Sequence, residues 1–151
     1  MSSVITVRAA TTDSTRLAPL FDSYRGFYGR PSDLVGAERF LWRRLQDGDS
    51  IVLYATAPGE TSVFGFVQLY PTFSSLFMRP ALVLNDLYVL PGPRRRGVAR
   101  SLLRAAFDVA REQGAAYLQL QTERTNVAAR RLYESEGYRL DEAFDHYELE
   151  V

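Results

Sequence analysis

Hydrophobic positions in the first part of the chain recur with two different spacings. Alternating or continuous apolar runs, typical of strands, occur at residues 5–9, 51–57, 63–70 and 81–89. Apolar residues spaced three and four apart, typical of one face of a helix, occur at residues 12–28 and 32–46. The turn residues at 58–61 predict a hairpin between the second and third strands. The Ser- and Phe-rich segment 71–80 is predicted to be a loop.

The second half of the chain alternates between helical and strand patterns. It predicts a helix at 97–113, a strand at 117–121, a helix at 126–136 and final strands at 138–140 and 144–151. An antiparallel first half followed by strand-helix-strand-helix predicts an α/β fold of mixed (α+β) character. The sequence has neither an internal repeat nor a linker, so residues 1–151 are predicted to form a single domain.

Composition narrows the chemistry that such a domain can perform. The 18 acidic residues balance 18 basic residues, all of them arginine, which disfavours nucleic acid and anionic membranes as partners. The chain has no cysteine, which excludes a thiol nucleophile, a disulfide and a Cys/His zinc site, and no metal is expected. A Ser-His-Asp triad would have to use the single histidine, His146, for which a structural role on a terminal strand is favoured.

Targeting signals are also not predicted. The residues after Met1 lack a basic region followed by an apolar run, as a signal peptide would have. No stretch approaches the ~20 apolar residues of a membrane-spanning helix. The expected location is the cytoplasm.

The segment from Leu84 to Ala99 carries the clearest chemical signal. A predicted strand runs through a short turn into a helix whose first turn holds the small residues Gly97 and Ala99. The first amides of a helix lack internal partners, so they bind phosphate where the backbone can be approached closely. The preceding arginines at 94–96 oppose the helix dipole unless an anion is bound, although they are also compatible with a solvated basic cap. Neither a P-loop nor a Gly-x-Gly-x-x-Gly pattern is present.

Two motifs in the chain resemble those of the GNAT acetyltransferases. Residues 94–99, Arg-Arg-Arg-Gly-Val-Ala, match the pattern Gln/Arg-x-x-Gly-x-Gly/Ala of that family. Residues 126–138 match the pattern Asn-x-x-Ala-x-x-Leu-Tyr-x-x-x-Gly-Phe/Tyr. The two motifs occur in family order and at similar spacing. The resemblance implies the GNAT fold, with a central twisted mixed sheet of about seven strands, splayed between strands 4 and 5 and flanked by about four helices.

The resemblance also implies acetyl-CoA as the co-substrate, with its pantetheine arm in the splay. The residues implied to contact it are Leu87, Tyr88, Val89, Arg94, Arg95, Arg96, Gly97, Val98, Ala99, Arg100 and Asn126. Those at 95–99 would hold the pyrophosphate through backbone amides. An amide near Leu87 would polarise the thioester carbonyl, as an oxyanion hole does.

Two catalytic residues are predicted. The family comparison makes Tyr133 the general acid that protonates the departing thiolate, although a packed aromatic side chain is an alternative. Asn126 lies seven residues earlier on the same helical face and could instead be a helix cap. Asp86 is predicted to take a proton from the amine, because a charge within an apolar strand is costly unless it is paired or used. The alternative is an Asp86 paired with arginine or backbone.

The acceptor is predicted to be a primary amine, attacked directly in a ternary complex because no covalent nucleophile is evident. It can be a small molecule or a protein lysine or N-terminus, and Asn85 beside Asp86 disfavours polyamines. Weaker site candidates are Glu123, Tyr24, Tyr28 and Asp33. The alternatives to an enzyme are a non-catalytic acyl-CoA sensor and, less favoured, a nucleic-acid-binding domain. Family members are often homodimers, so the resemblance favours a homodimer here.

Overall fold

The structure is a computed structural model that describes residues 4–92 and 97–151. Within these residues the chain forms one sheet of five strands, in the order β1-β2-β3-β4-β5. The strands are β1 (Ile5–Arg8), β2 (Ile51–Thr56), β3 (Gly65–Ser74), β4 (Arg79–Val89) and β5 (Leu118–Leu120). The first four strands are antiparallel neighbours, and β5 is parallel to β4. The predicted mixed sheet is therefore confirmed, with β2 and β3 forming the predicted hairpin.

Four α-helices accompany the sheet, as predicted. They are α1 (Ser14–Phe27), α2 (Leu34–Asp47), α3 (Val98–Glu112) and α4 (Val127–Ser135), and a short 3-10 turn (Thr11–Asp13) precedes α1. Asp33 caps α2 by accepting a hydrogen bond from the Gly36 amide at 2.9 Å. No helix in the described parts of the chain is both long and apolar enough to cross a membrane.

The chain forms two compact units. The first extends to Gln121 and contains the whole sheet with α1, α2 and α3. The second, Thr122–Val151, contains α4. The single domain of residues 1–151 remains a prediction.

The core of the first unit lies on both faces of the sheet. On one face, Leu17 and Phe21 of α1 and Leu41 of α2 form a buried cluster that includes Phe66 of β3. Gly65, the residue before Phe66, lies beside Leu102 of α3. Because neighbouring residues of a strand face opposite sides of the sheet, α3 covers the opposite face. A Cβ at Gly65 would come within 2.8 Å of the Tyr88 carbonyl oxygen, which explains the glycine at this close contact of β3 and β4. Every residue of β2 is buried, as expected for a strand covered on both sides.

The predicted loop at 71–80 is wrong. β3 continues to Ser74 and β4 begins at Arg79, so only the four-residue turn 75–78 connects them. Pairing with β4 continues through this part of β3 although Phe73 remains 79% exposed. A strand that hydrogen-bonds its neighbour while one face meets solvent leaves little hydrophobic pattern in the sequence.

The two final strands are also not observed, and the described residues contain five strands where about seven were predicted. No strand is formed within residues 138–151. The alternating apolar side chains that suggested one, among them Phe144, Tyr147 and Leu149, are more than 80% exposed. Alternation indicates a preference for extended backbone, whereas a strand also requires a neighbour that completes its hydrogen bonds.

Candidate active site

The parallel pair of β4 and β5 opens partway along β4. β5 pairs with β4 only from Leu82 to Leu84, whereas β4 continues to Val89 and stays paired with β3. From Asn85 onward, one edge of β4 therefore has no strand beside it within the described residues. Such an edge presents N–H and C=O groups that an extended ligand can bind. The predicted splay between strands 4 and 5 is confirmed.

The direction of the backbone groups along this edge follows from one hydrogen bond. The Leu90 amide donates to the Phe64 carbonyl at 2.9 Å, so the polar backbone groups of Leu90, and by alternation of Tyr88, face β3. Those of Leu87 and Val89 face the opening. Of the three residues predicted to offer backbone groups there, the structure thus directs two toward the opening and one away from it.

A β-bulge produces this arrangement. Gln68 of β3 lies opposite Asp86, but the next residue, Leu69, lies opposite Leu84, so Asn85 is an extra residue in β4. Because of the extra residue, the even-numbered residues present their backbone groups to the β5 side before the bulge, and the odd-numbered residues do so after it. The interruption that Asn85 and Asp86 make in the apolar pattern marks its position in the sequence.

The N-terminus of α3 follows the open end of β4 in the sequence. Gly97, at the N-cap, has a φ of 82°, in the left-handed region that favours glycine. Gly97 has no side chain with which to cap the first-turn amides, and a Cβ placed there would meet no atom within 4 Å. Of the next predicted contacts, Val98 is buried, and Ala99 and Arg100 are partly buried. The predicted contacts Arg94, Arg95 and Arg96 lie outside the described residues.

Asp86 is buried, with only 5% of its surface exposed, and its carboxylate accepts hydrogen bonds from two neighbouring side chains. The Gln68 amide donates to one carboxylate oxygen at 2.7 Å, and the Asn85 amide donates to the other at 3.1 Å. Tyr24 lines the same cleft, and the Asp86 carboxylate contributes to raising the pKa of its hydroxyl. The hydrogen-bond partners of Asp86 are side-chain amides, where arginine or backbone had been the expected alternative. The burial of Asp86 is thus compensated by dipoles, and the charge is not neutralised by a described salt bridge.

Gln68 is oriented by a further buried contact. Its side-chain oxygen accepts a hydrogen bond from the Ser50 hydroxyl at 2.8 Å, which leaves its amide nitrogen to face Asp86. Ser50 and Gln68 are both buried. The result is a hydrogen-bonded chain in which each member fixes the orientation of the next.

A cleft of about 410 Å³ lies over Asp86. Its lining comes from α1, α2 and the bulged part of the sheet, with Phe21, Tyr24, Arg25, Asp33, Gly36, Ala37, Phe40, Tyr70, Asn85 and Asp86. Two of the weaker predictions, Tyr24 and Asp33, are therefore brought together with Asp86. The third, Tyr28, is 55% exposed and contacts the Tyr24 ring edge-on at 5.2 Å.

Burial and the Asp86 charge act on two phenols of the cleft. Burial, together with the interaction with the nearby Asp86 carboxylate, raises the pKa of Tyr24 well above its ordinary value. Burial, and then the charge of Asp86, raises the pKa of Tyr70 to about 12. Both phenols therefore stay protonated at neutral pH and remain hydrogen-bond donors.

The second unit holds the other predicted catalytic residue. Asn126 is the N-cap of α4, and its side-chain oxygen accepts a hydrogen bond from the Ala129 amide at 3.2 Å, so the capping alternative is observed. Tyr133 lies two turns further along α4, and its ring is 5.9 Å from that of Tyr138. Burial raises the pKa of Tyr138 to about 12. Two further candidates belong to this unit: Glu123, whose carbonyl accepts from the Asn126 amide at 3.0 Å, and His146, in the segment where the predicted strand is not formed.

Comparison with known proteins identifies the family. The family model described as the acetyltransferase (GNAT) family matches residues 17–138. The chain belongs to the GNAT acetyltransferase family. The family resemblance and the fold class predicted from the sequence are confirmed, apart from the number of strands.

Relatives of this GNAT protein agree in fold and in name. It is 50% identical over 144 residues to a Bacillus subtilis (strain 168) protein named uncharacterized N-acetyltransferase YhfO, with 95% of each chain covered. A crystal structure of a probable acetyltransferase is 40% identical, with a TM-score of 0.92 and 97% of each chain covered. An aminoglycoside N-acetyltransferase, AAC(6')-Iy, solved in complex with CoA, shares the fold alone, at 21% identity and a TM-score of 0.78, with 100% of this chain and 97% of that chain covered.

Sequence reasoning missed three side chains near the candidate site of this acetyltransferase: Gln68, Ser50 and Tyr70. A signal for Gln68 was present, because it is a polar residue within the apolar run of β3, as Asp86 is within that of β4. Two such interruptions in strands that pair are expected to meet, since each alone would be costly to bury. No comparable signal distinguishes Tyr70, whose position over the cleft depends on the pairing of β3 with β4.

Proposed function

We propose that this protein is an N-acetyltransferase that uses acetyl-CoA and transfers the acetyl group to a primary amine by direct attack in a ternary complex. The observation that carries the proposal is the open edge of β4, which leads in sequence into the N-terminus of α3, where the N-cap residue Gly97 has no side chain to cap the first-turn amides. The family membership makes acyl transfer the expected chemistry. The CoA bound to an aminoglycoside acetyltransferase of the same fold supports the choice of co-substrate.

The described residues fit a CoA thioester. The backbone groups of Leu87 and Val89 face the opening and can pair with the amides of a pantetheine arm, and the first-turn amides of α3 after Gly97 can hold a pyrophosphate. The arginines at 94–96, Val98 to Arg100 and Asn126 complete the proposed set. The thioester supplies an activated acetyl carbon with a thiolate leaving group, and the Leu87 amide is proposed to polarise its carbonyl.

The reaction needs one proton removed from the ammonium, so that the amine can attack, and one proton delivered to the departing sulfur. We assign the first to Asp86, directly or through water, because its carboxylate lines the cleft and has no described ion-pair partner. We assign the second to Tyr133 in the second unit. The amine nitrogen bonds to the acetyl carbon and the C–S bond breaks. The nitrogen then loses its second proton, which in net replaces the one that Tyr133 gave to sulfur, and the proton taken by Asp86 leaves to solvent.

The remaining parts of the proposal concern partners and location. A cleft of about 410 Å³ lies in the size range of small-molecule sites, ~300–1,000 Å³, which favours a small acceptor over a protein amine. We propose a cytoplasmic homodimer that binds neither nucleic acid nor membranes, in keeping with the balanced charge.

The test is release of free thiol from acetyl-CoA in the presence of a panel of amines. The chain has no cysteine, so the enzyme contributes no thiol to the signal. We expect at least one amine to raise thiol release far above hydrolysis and to yield its N-acetyl derivative by mass spectrometry. Tight acetyl-CoA binding without transfer to any amine would indicate the sensor alternative instead.

A further inference from the structure

Four of the ten residues that line the cleft over Asp86 are aromatic. Phe21 and Phe40 stack with their rings nearly parallel, 5.7 Å apart, and Tyr24 stacks on Phe21 at 6.1 Å. Tyr70 lines the cleft from β3. Aromatic faces carry negative quadrupole potential and therefore attract both apolar groups and cations. The walls thus suit a ligand that has an apolar body and a positive charge.

Three charged side chains line the cleft, Arg25, Asp33 and Asp86, and they differ in whether they already have a charged or backbone partner. Asp33 is already committed, because its carboxylate accepts the Gly36 amide and so caps α2. Arg25 contacts the Pro31 carbonyl at 3.2 Å and Asp22 at 3.8 Å. Asp86 is therefore the carboxylate of the cleft with no cationic or backbone partner among its described contacts.

The Ser50–Gln68 pair gives this carboxylate a fixed direction. Gln68 is fully buried, and its amide nitrogen faces Asp86 because a carboxylate can only accept, while the Ser50 hydroxyl donates to its oxygen and holds the other end of the amide. A carboxylate offers about four lone-pair positions, and the described donors use only part of them. Asp86 can accordingly accept further hydrogen bonds from a ligand in the cleft.

We propose that the acceptor of this site is a compact monoamine with an aryl-sized apolar body, bound as its ammonium form with the nitrogen on Asp86 and the body between the aromatic walls. The proposal rests on the acetyltransferase function and names its substrate class. A polyamine or an aminoglycoside would need further uncommitted carboxylates, which the described lining does not offer. An amino acid would bring its own carboxylate close to Asp86.

The test measures ligand binding without acetyl transfer. Three probes share one phenylethyl body and differ in charge: phenethylamine, 2-phenylethanol and phenylalanine. Their affinities are measured by NMR titration of the labelled protein, with and without saturating CoA, so that ordered binding does not hide the site. Since hydrogen bonds to charged groups are the stronger class, we expect phenethylamine to bind at least about tenfold more tightly than the alcohol and than phenylalanine.

Three variants locate the ammonium contact. Asp86→Asn should reduce the preference for amine over alcohol about tenfold while leaving the affinity for the alcohol unchanged. Ser50→Ala should reduce the same ratio several-fold, because Gln68 and then Asp86 lose their fixed orientation. Asp33→Asn, which can still cap α2, should keep the ratio. A merely structural role would weaken all three probes together.

The outcomes separate the two proposals. Amine preference that depends on Asp86, without any acetyl transfer, supports the site and contradicts the proposed function. Acetyl transfer without amine preference in the wild-type titration overturns the site and leaves the function intact, and this comparison needs no variant to fold. Tighter binding of phenylalanine overturns the monoamine class. Loss of the preference in Asp33→Asn but not in Asp86→Asn would show that the anchor has been assigned to the wrong carboxylate.

Discussion

Asp86 combines two properties that a single side chain rarely has. It is nearly excluded from solvent, and its hydrogen-bond partners are all neutral donors. Because no described arginine is paired with it, this carboxylate can contact a ligand's ammonium group, whereas one paired with arginine would be held as a structural ion pair. The role that we assign to Asp86 therefore depends on which residues surround it as much as on the carboxylate itself.

The first prediction concerns Asp86→Asn, which keeps the shape of the side chain and removes its charge. The rate with a protonated amine should fall, and the deficit should shrink as pH rises toward the pKa of the amine, ~10, because more acceptor then arrives neutral. The pH dependence of kcat/KM for both proteins is the measurement. A deficit that is the same at every pH would show that Asp86 orients substrate or holds structure, and the base should then be sought at Glu123 or in bound water.

The second prediction concerns the general acid. Tyr133→Phe keeps the ring beside Tyr138 and removes only the hydroxyl, so acetyl-CoA affinity should hardly change. General acid catalysis is typically worth ~10²–10⁴ in rate, and we expect about 10², because a thiolate is a weakly basic leaving group. Single-turnover rates isolate the chemical step. Tyr138→Phe is the matched control, because it removes a neighbouring buried hydroxyl that has no described hydrogen-bond partner, and it should retain the parent rate. Equal rates for all three proteins would exclude Tyr133 as the acid.

Among the elements, the junction of β4 with α3 is expected to bind the charged part of the co-substrate. Gly97→Asp should abolish acetyl-CoA binding, because it places a carboxylate against a pyrophosphate at the helix N-terminus. Gly97→Asn is the control, since it imposes the same left-handed backbone on a side chain of equal size without charge. Calorimetry on the two folded variants separates the effects. If both bind acetyl-CoA equally well, the pyrophosphate does not lie at this junction.

The elements that the sequence predicted well are those whose side chains are buried in a regular pattern. Local sequence determines where these elements begin and end. Examples are the apolar stripe of α1 and α2, the continuous apolar run of β2 and the glycines that flank helices. The tip of the β3–β4 hairpin was missed because Phe73 is exposed there although its pairing with β4 continues. The bulge was visible only as a polar interruption, because register depends on two strands together. For the same reason Asp86 and Gln68 each stand out as a polar interruption in one strand, but their contact could not be predicted from either strand alone.

At the scale of the whole molecule, the absence of lysine and cysteine shapes how its mechanism can be tested. The only amine in the chain is the N-terminal amino group, so neither a lysine nor a thiol can carry an acetyl group. We predict sequential kinetics, with intersecting lines in double-reciprocal plots of both substrates. Mass spectrometry of the enzyme after exposure to acetyl-CoA should show no acetylated intermediate. Parallel lines, or an acetyl-enzyme that passes its group to an amine, would establish a ping-pong route instead.

The extra residue at Asn85 has a consequence for how this protein can change over time. Leu84 opposite Leu69 and Asp86 opposite Gln68 would become consecutive pairs if Asn85 were lost, because β4 carries one residue more than β3 at this point. Asp86 would still face the cleft, and Leu87 and Val89 would still present their backbone groups at the open edge. Loss of a residue between Asp86 and Val89 would instead exchange the two sides of β4 for the residues that follow it. A gap of one codon is therefore tolerated at the bulge, whereas the same gap further along β4 would turn the open edge away from its ligand.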